Sequence, residues 1–320
     1  MDGLMFVVGV GRSGTSLLQS MLASNPSVCY LPETSFVRRY VVSGDLEKTY
    51  SHDGVLAVKA KLRSDSLLRR TGVDFDQLVD RLNVTATLSS GDLFLELANT
   101  YCEGRAKWVG DKDPRLVEFL PLLSSLSTNV VVIHIVRDPR DVLLSKKKAK
   151  WSQKSHVWKH VFANRIQLKL SRSLGQKLLK DRYHEIIYEE LIAQPEPILR
   201  DLCKYIGIPF DETMLDFGCA AKKLVSQEEI SWKKETFGPL LVSNKDKWKQ
   251  ELSAREIALT ELCCKQAFRI GSYQYDNRDQ KLSILERLWV WAGATAIFLM
   301  DWPYRLYRNY TVKRACRRLI

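Results

Sequence analysis

No pair of cysteines in this sequence has CxxC spacing and none has CxxH, which leaves out the common zinc frameworks. The seven cysteines are an odd number, too scattered for a disulfide scaffold, and read as reduced thiols. Collagen-like, low-complexity and disordered biases are all missing. So are internal repeats, and any linker rich in Gly, Ser or Pro that would divide the main body. No charged segment and apolar core of a secretory signal come first, because Met1 is followed almost at once by a strand-like run. The uncharged stretch over residues 288–300 falls short of the roughly 20 residues that cross a bilayer. Together these absences predict a reduced, cytoplasmic protein with at most a peripheral hold on a membrane.

What is present is the composition of a folded enzyme: 320 residues, 45% hydrophobic and 27% charged. The net charge of +12 favours anionic partners. Its cations gather in two places, at Lys146, Lys147, Lys148 and Lys150 and again in the last residues, so two such partners are expected. The glycosylation triplets Asn83-Val-Thr85 and Asn309-Tyr-Thr311 arise readily by chance.

Residues 4–10 form a short apolar run that ends in glycines, and residues 16–23 switch to helical spacing, a strand, turn and helix in series. Residues 129–136 are nearly all apolar, as in a strand buried on both faces of a parallel sheet. Residues 34–108 contain charged, Leu-punctuated helical segments with turns near Gly44 and Gly91, an insertion suited to shaping the substrate side of an enzyme. A strand is predicted over 182–188 and a helix over 191–205, ended by Gly207-Ile-Pro209. The composition shifts only after residue 276. The expected organisation is therefore an α/β catalytic domain over 1–275, a P-loop-like parallel sheet flanked by helices, and an aromatic, basic helical appendage over 276–320.

Gly9-Val-Gly-Arg-Ser-Gly-Thr-Ser16 aims backbone N–H groups and a helix N-terminus at one point, a seat for phosphate. A nucleotide-kinase P-loop would carry Lys where Thr15 stands, and here the nearest cation is Arg12, inside the turn. At the end of the second apolar strand stands Arg137-Asp-Pro-Arg-Asp-Val-Leu-Leu-Ser145, where a guanidinium and a hydroxyl can grip a second phosphate.

These paired motifs resemble those of the sulfotransferases that use 3'-phosphoadenosine-5'-phosphosulfate (PAPS), in patches over residues 4–275. The resemblance implies that Arg12 contacts the bridging and sulfuryl oxygens while Ser13, Gly14, Thr15 and Ser16 hold the 5'-phosphate. Arg137 and Ser145 would hold the 3'-phosphate, and Tyr188 would pack near the adenine. The product would be PAP, with no metal. Leu31-Pro-Glu-Thr-Ser35 resembles the segment in which the carbohydrate, protein-tyrosine and bacterial branch places its general base, which implies that role for Glu33. Gly110-Asp-Lys-Asp-Pro114 likewise implies that Lys112 stabilises developing charge. His134, inside a strand, reads as a satisfied core histidine. Residues 231–248 resemble the family's lid, although Gly238 stands where some relatives have Lys, so that Lys233, Lys234 or Lys245 would substitute.

The partners implied are PAPS and an acceptor hydroxyl, on a glycan, a glycolipid or another membrane-associated molecule; no nucleic acid is expected. Two other readings stay open. A P-loop kinase would need magnesium-dependent ATP binding. A non-catalytic relative would hold lipid or another anion on the basic surface. For the tail, with its aromatics from Trp289 to Tyr310 and its closing Lys313, Arg314, Arg317 and Arg318, the sequence allows an interfacial anchor on an anionic membrane, a buried helix or a homodimer contact.

Overall fold

Strand β1 (Gly3–Gly9) is buried at all seven positions, so both of its faces must be covered. In the computed structural model, which describes residues 2–82, 87–224, 238, 240–276 and 280–319, it is the centre of a five-stranded parallel sheet. β2 (Val28–Tyr30) pairs with β3 (Trp108–Lys112), β3 and β4 (Val130–Val136) flank β1, and β5 (Tyr183–Ile187) closes the other edge. The order is β2-β3-β1-β4-β5. The chain crosses from one side of β1 to the other between β3 and β4, which opens a crevice at the carboxyl ends of the strands.

Helices α1 (Thr15–Ala23), α2 (Asp45–Ser64, broken at Gly54, φ 76°), α3 (Ser66–Arg69), α4 (Phe75–Arg81), α5 (Ser90–Tyr101) and α6 (Leu120–Leu126) lie in the first half. α7 (Pro139–Lys148), α8 (Val157–Leu178), α9 (Tyr188–Ala193), α10 (Pro195–Ile206) and α11 (Gly218–Leu224) follow. α12 (Trp248–Glu251), α13 (Ala254–Cys263), α14 (Lys265–Gly271) and α15 (Ile284–Leu319) end the chain. One apolar cluster joins Met5, Val7, Ile133 and Ile135 to α1, α9 and α10. Another joins Leu4, Phe6 and Val8, on the opposite sheet face, to the insertion helices and to Val312 and Ala315 of α15. β1 therefore holds the two halves of the core together, and its carboxyl end is fixed from both sides.

The structure differs from the sequence reading in three places. The predicted helix over 191–205 is two helices, α9 and α10, parted at Gln194 (φ −138°, ψ 68°), because Pro195 starts α10 and bars its predecessor from helical geometry. The cysteines are not all reduced thiols: Cys29 on β2 and Cys102 at the end of α5 form a disulfide with Cα atoms 5.9 Å apart. A separation of 73 residues carries no spacing signal, so only the fold brings the two together. Such a bond persists in oxidising compartments, and it removes the thiol argument for a reducing one. The cations at Lys146 to Lys150 are largely taken up within the fold, for Lys147 pairs with Glu256 (2.6 Å), Lys148 with Glu251 (2.5 Å) and Lys146 is buried, while Lys150 is exposed. The lid lysines Lys233 and Lys234 and the triplet at Asn83 lie outside the described residues.

The tail is one helix of 36 residues, packed along α6, α8 and α13. Among the described residues, no helix is long and apolar enough to cross a membrane.

Candidate active site

Each strand delivers a candidate residue at its carboxyl end. After β1 the chain turns through Arg12 (φ 79°) and Gly14 (φ 97°), with the Ser13 N–H donating to the Val10 carbonyl (3.0 Å). Gly14 is the N-cap of α1 and offers no side-chain cap, so the helix presents its first-turn amides to the crevice. A methyl group added to Gly14 would lie 2.4 Å from the Tyr188 ring, so the positive φ and the close ring both require glycine. At Gly11 an added methyl group would meet nothing within 4 Å, which leaves the outer side of the turn open.

Arg137 follows β4 and is 8% exposed. Asp138 fixes its backbone by capping α7 at the Arg140 N–H (2.9 Å), while the Asp138 N–H donates to Glu189 (3.0 Å). The Arg137 guanidinium donates to the carbonyls of Arg12 (3.2 Å) and Asn244 (2.8 Å) and stacks 4.3 Å above the Tyr188 ring. Its Nε is buried and has no hydrogen-bond partner among the described residues. Arg12 Nε donates to Ser145 Oγ (2.9 Å) from the other side, so the glycine turn, Arg137, Ser145 and Tyr188 form one cluster.

Lys112 ends β3, 1% exposed, and forms an ion pair with Glu33, which follows β2. The Glu33 backbone is held by Arg70, which donates to its carbonyl (3.3 Å). Asp113 pairs with Arg38 (2.8 Å) and accepts from the Arg115 N–H (3.0 Å), which fixes the turn after Lys112. Asp111 is buried with both carboxyl oxygens lacking hydrogen-bond partners among the described residues. Burial, and then the negative charges of Asp113 and Glu33, push its carboxyl up to about 7 against the opposing pull of Lys112.

One residue of this cluster lies in the lid-like segment 231–248 but is not among the lysines that the sequence singles out there. Asn244, 8% exposed, accepts from Arg137 and donates through Nδ2 to the Tyr188 hydroxyl (2.9 Å). Its segment is tied to α7 by Asp141, which accepts from the N–H groups of Asp246 (2.8 Å) and Trp248 (3.1 Å). The neighbouring Lys245 is exposed. His134 is fully buried and only half satisfied, since Nδ1 shares a hydrogen bond with the Tyr183 hydroxyl (2.6 Å) and Nε2 has no partner among the described residues. The arrangement offers a glycine turn, two guanidiniums, an ammonium and hydroxyls around one crevice. A buried guanidinium N–H without an acceptor at its edge is chemistry that suits an anionic group.

The model described as "Sulfotransferase family" matches residues 5–212. Over 229 residues the chain is 26% identical to protein-tyrosine sulfotransferase 2 of Gallus gallus, covering 66% of this chain and 53% of that one. Over 222 residues it is 25% identical to the Drosophila melanogaster protein-tyrosine sulfotransferase, covering 66% and 39%. The chain thus spans about half or less of these relatives. The sulfotransferase domain of the Synechococcus PCC 7002 olefin synthase shares the fold, with a TM-score of 0.62, 21% identity, and coverage of 86% of this chain and 96% of that one.

Proposed function

This chain belongs to the sulfotransferase family, and we propose that it moves a sulfuryl group from PAPS to an acceptor hydroxyl by in-line displacement. What supports the reading above all is the cluster at the carboxyl ends of β1 and β4, where Arg137 has a buried N–H without an acceptor beside the open glycine turn. In it, Arg137 and Ser145 hold the 3'-phosphate, and Ser13, Gly14, Thr15 and Ser16 hold the 5'-phosphate through amides and hydroxyls. Tyr188 lies beside the adenine. Arg12 and Lys112 face the charge that grows on the transferred and leaving oxygens.

Glu33 takes the proton of the acceptor hydroxyl as its oxygen bonds to sulfur, and the bond from sulfur to the 5'-phosphate oxygen breaks, releasing PAP and the sulfated product. The Glu33–Lys112 pair supports both assignments, for it sets a carboxylate and an ammonium side by side at neighbouring strand ends. A glycan or glycolipid hydroxyl is the acceptor class to offer first.

The test is calorimetric titration of PAP, ATP and 5'-AMP without magnesium into wild type and Arg137→Ala. Wild type is expected to prefer PAP, and the variant to lose roughly 10- to 100-fold of that affinity, the worth of a charge-assisted contact. Magnesium-dependent ATP binding with indifference to PAP would overturn the reading. With labelled PAPS and a panel of lipids, glycans and tyrosine peptides, Glu33→Ala is expected to bind PAP normally and to turn over roughly 100-fold or more slowly.

A further inference from the structure

The long helix α15 is apolar on both sides: Val290, Ala294, Ile297, Val312 and Ala315 are buried in the core, yet its outer face is apolar as well. Between residues 288 and 312 it has three charged side chains, Asp301, Arg305 and Arg308, and none of them is left for solvent alone. Asp301 is buried and accepts from Arg165 (2.9 Å), Lys169 (3.0 Å) and Arg305 (2.6 Å). Arg308 is buried against Glu118 (2.6 Å). The outward face is apolar and aromatic instead: Leu288, Trp291, Leu299, Trp302, Leu306 and Tyr310 are exposed, Trp291 by 70% and Leu299 by 71%. A helix on a water-facing surface carries charged and polar residues on its outer face instead, so this patch calls for a partner.

Cations border it. A cleft of about 510 Å³ between α8 and α14 is lined by Arg165, Lys169, Arg172, Lys265, Gln266 and Arg269. Arg172, Lys265 and Arg269 have no ion pair among the described residues. The cleft adjoins the apolar face, since Arg165 lies 4.7 Å from the Phe298 ring. Past the aromatics, Lys313, Arg314 and Arg317 are exposed.

We propose that this face docks on the surface of an anionic phospholipid bilayer, with α15 lying in the interface and the α8–α14 cleft taking lipid phosphates. Trp and Tyr with neighbouring Lys and Arg suit the headgroup layer, where one end of the ring is apolar and the other wet. Among the described residues no helix is long and apolar enough to cross, and α15 lies along the surface of the fold against α6, α8 and α13. A second copy of this chain fits worse. Phe298 sits near the middle of α15, so a two-fold contact on this face would bring cleft towards cleft with like charges opposed.

Flotation of the full chain with vesicles tests this. Wild type is expected to bind phosphatidylcholine vesicles containing about a quarter phosphatidylglycerol, and to bind pure phosphatidylcholine, or the anionic vesicles in about 0.5 M salt, at least about tenfold more weakly. The double variant Leu299→Glu, Trp302→Glu is expected to lose at least about tenfold on anionic vesicles with its thermal midpoint retained. Arg172→Glu with Arg269→Glu is expected to lose the preference for anionic vesicles while keeping the weak binding to phosphatidylcholine. Absence of wild-type binding at low salt would overturn the proposal, as would a concentration-dependent dimer that the Leu299→Glu, Trp302→Glu variant returns to monomer. An unchanged anionic preference in the cleft variant would remove the cleft from it. None of these readouts involves PAPS, so the proposal stands or falls apart from the catalytic reading.

Discussion

At the scale of the residue, Asp111 gives the protein a pH dependence. Its carboxyl is held near 7 in the fold and near 3.9 when unfolded. Between those values the folded chain keeps a proton that the unfolded chain has released. This contribution is therefore fully present below about pH 4 and is lost as pH rises through about 7, a change on the order of 4 kcal/mol. Asp111→Asn keeps the side chain neutral, so its unfolding midpoint is expected to match wild type near pH 4 and to exceed it increasingly up to pH 8; a difference that stays flat across that range would contradict this origin. Asp111 also shows what the sequence could and could not tell. Lys112 and Glu33 were legible because each sits in a short motif. Asp111 occupies the next position of the same strand, and only its burial between like charges sets it apart. Asn244 was not legible for a similar reason, since its lid-like segment draws attention to lysines and an asparagine there acquires meaning only where Asp141 ties its loop over Arg137.

At the scale of the element, β1 and β4 were legible because a strand buried on both faces must be apolar at successive positions. The short strands β2 and β3 were not. β2 has three residues, and β3 reads Trp-Val-Gly-Asp-Lys, whose last two residues are charged yet buried. The Cys29–Cys102 bond ties β2 to the end of α5 and so anchors the insertion to the sheet edge from which Glu33 departs. A closed loop of this length limits the unfolded chain by about 4 kcal/mol on the chain-entropy account. Cys102→Ser is accordingly expected to lower stability by up to that amount in denaturant titration under oxidising conditions. Reductant is expected to bring wild type down to the variant's level and to leave the variant unmoved; a wild type indifferent to reductant would mean that the bond does not carry this load.

For the molecule as a whole, the net charge of +12 was read as a mark of anionic partners, and its distribution now has a shape. Part of the basic sequence is consumed in internal pairs, and Arg137 and Lys112 are buried in the crevice. A surplus of this size would steer the proposed donor, an anion, by its long-range field. The association rate of PAP, followed by stopped-flow, is expected to fall by roughly tenfold between about 0.02 and 0.5 M salt with a much smaller change in dissociation rate; a rate indifferent to salt would restrict the role of charge to contacts inside the crevice.

The strand order also sets the order in which the protein can be made. β1 leaves the ribosome before the other strands, and its two neighbours, β3 and β4, lie more than a hundred residues downstream, with Gly3 opposite Trp108 and Leu4 opposite Val130. At roughly 5–20 residues per second, the central strand and its glycine turn wait on the order of ten seconds for the chain that completes them. The last helix closes the sequence by returning to an early one, as Arg318 donates to the carbonyls of Val41 (3.1 Å) and Val42 (2.6 Å) just before α2. A ribosome stalled before residue 130 therefore exposes a naked apolar strand, and a nascent chain of this protein is a client for whatever shields such strands during translation.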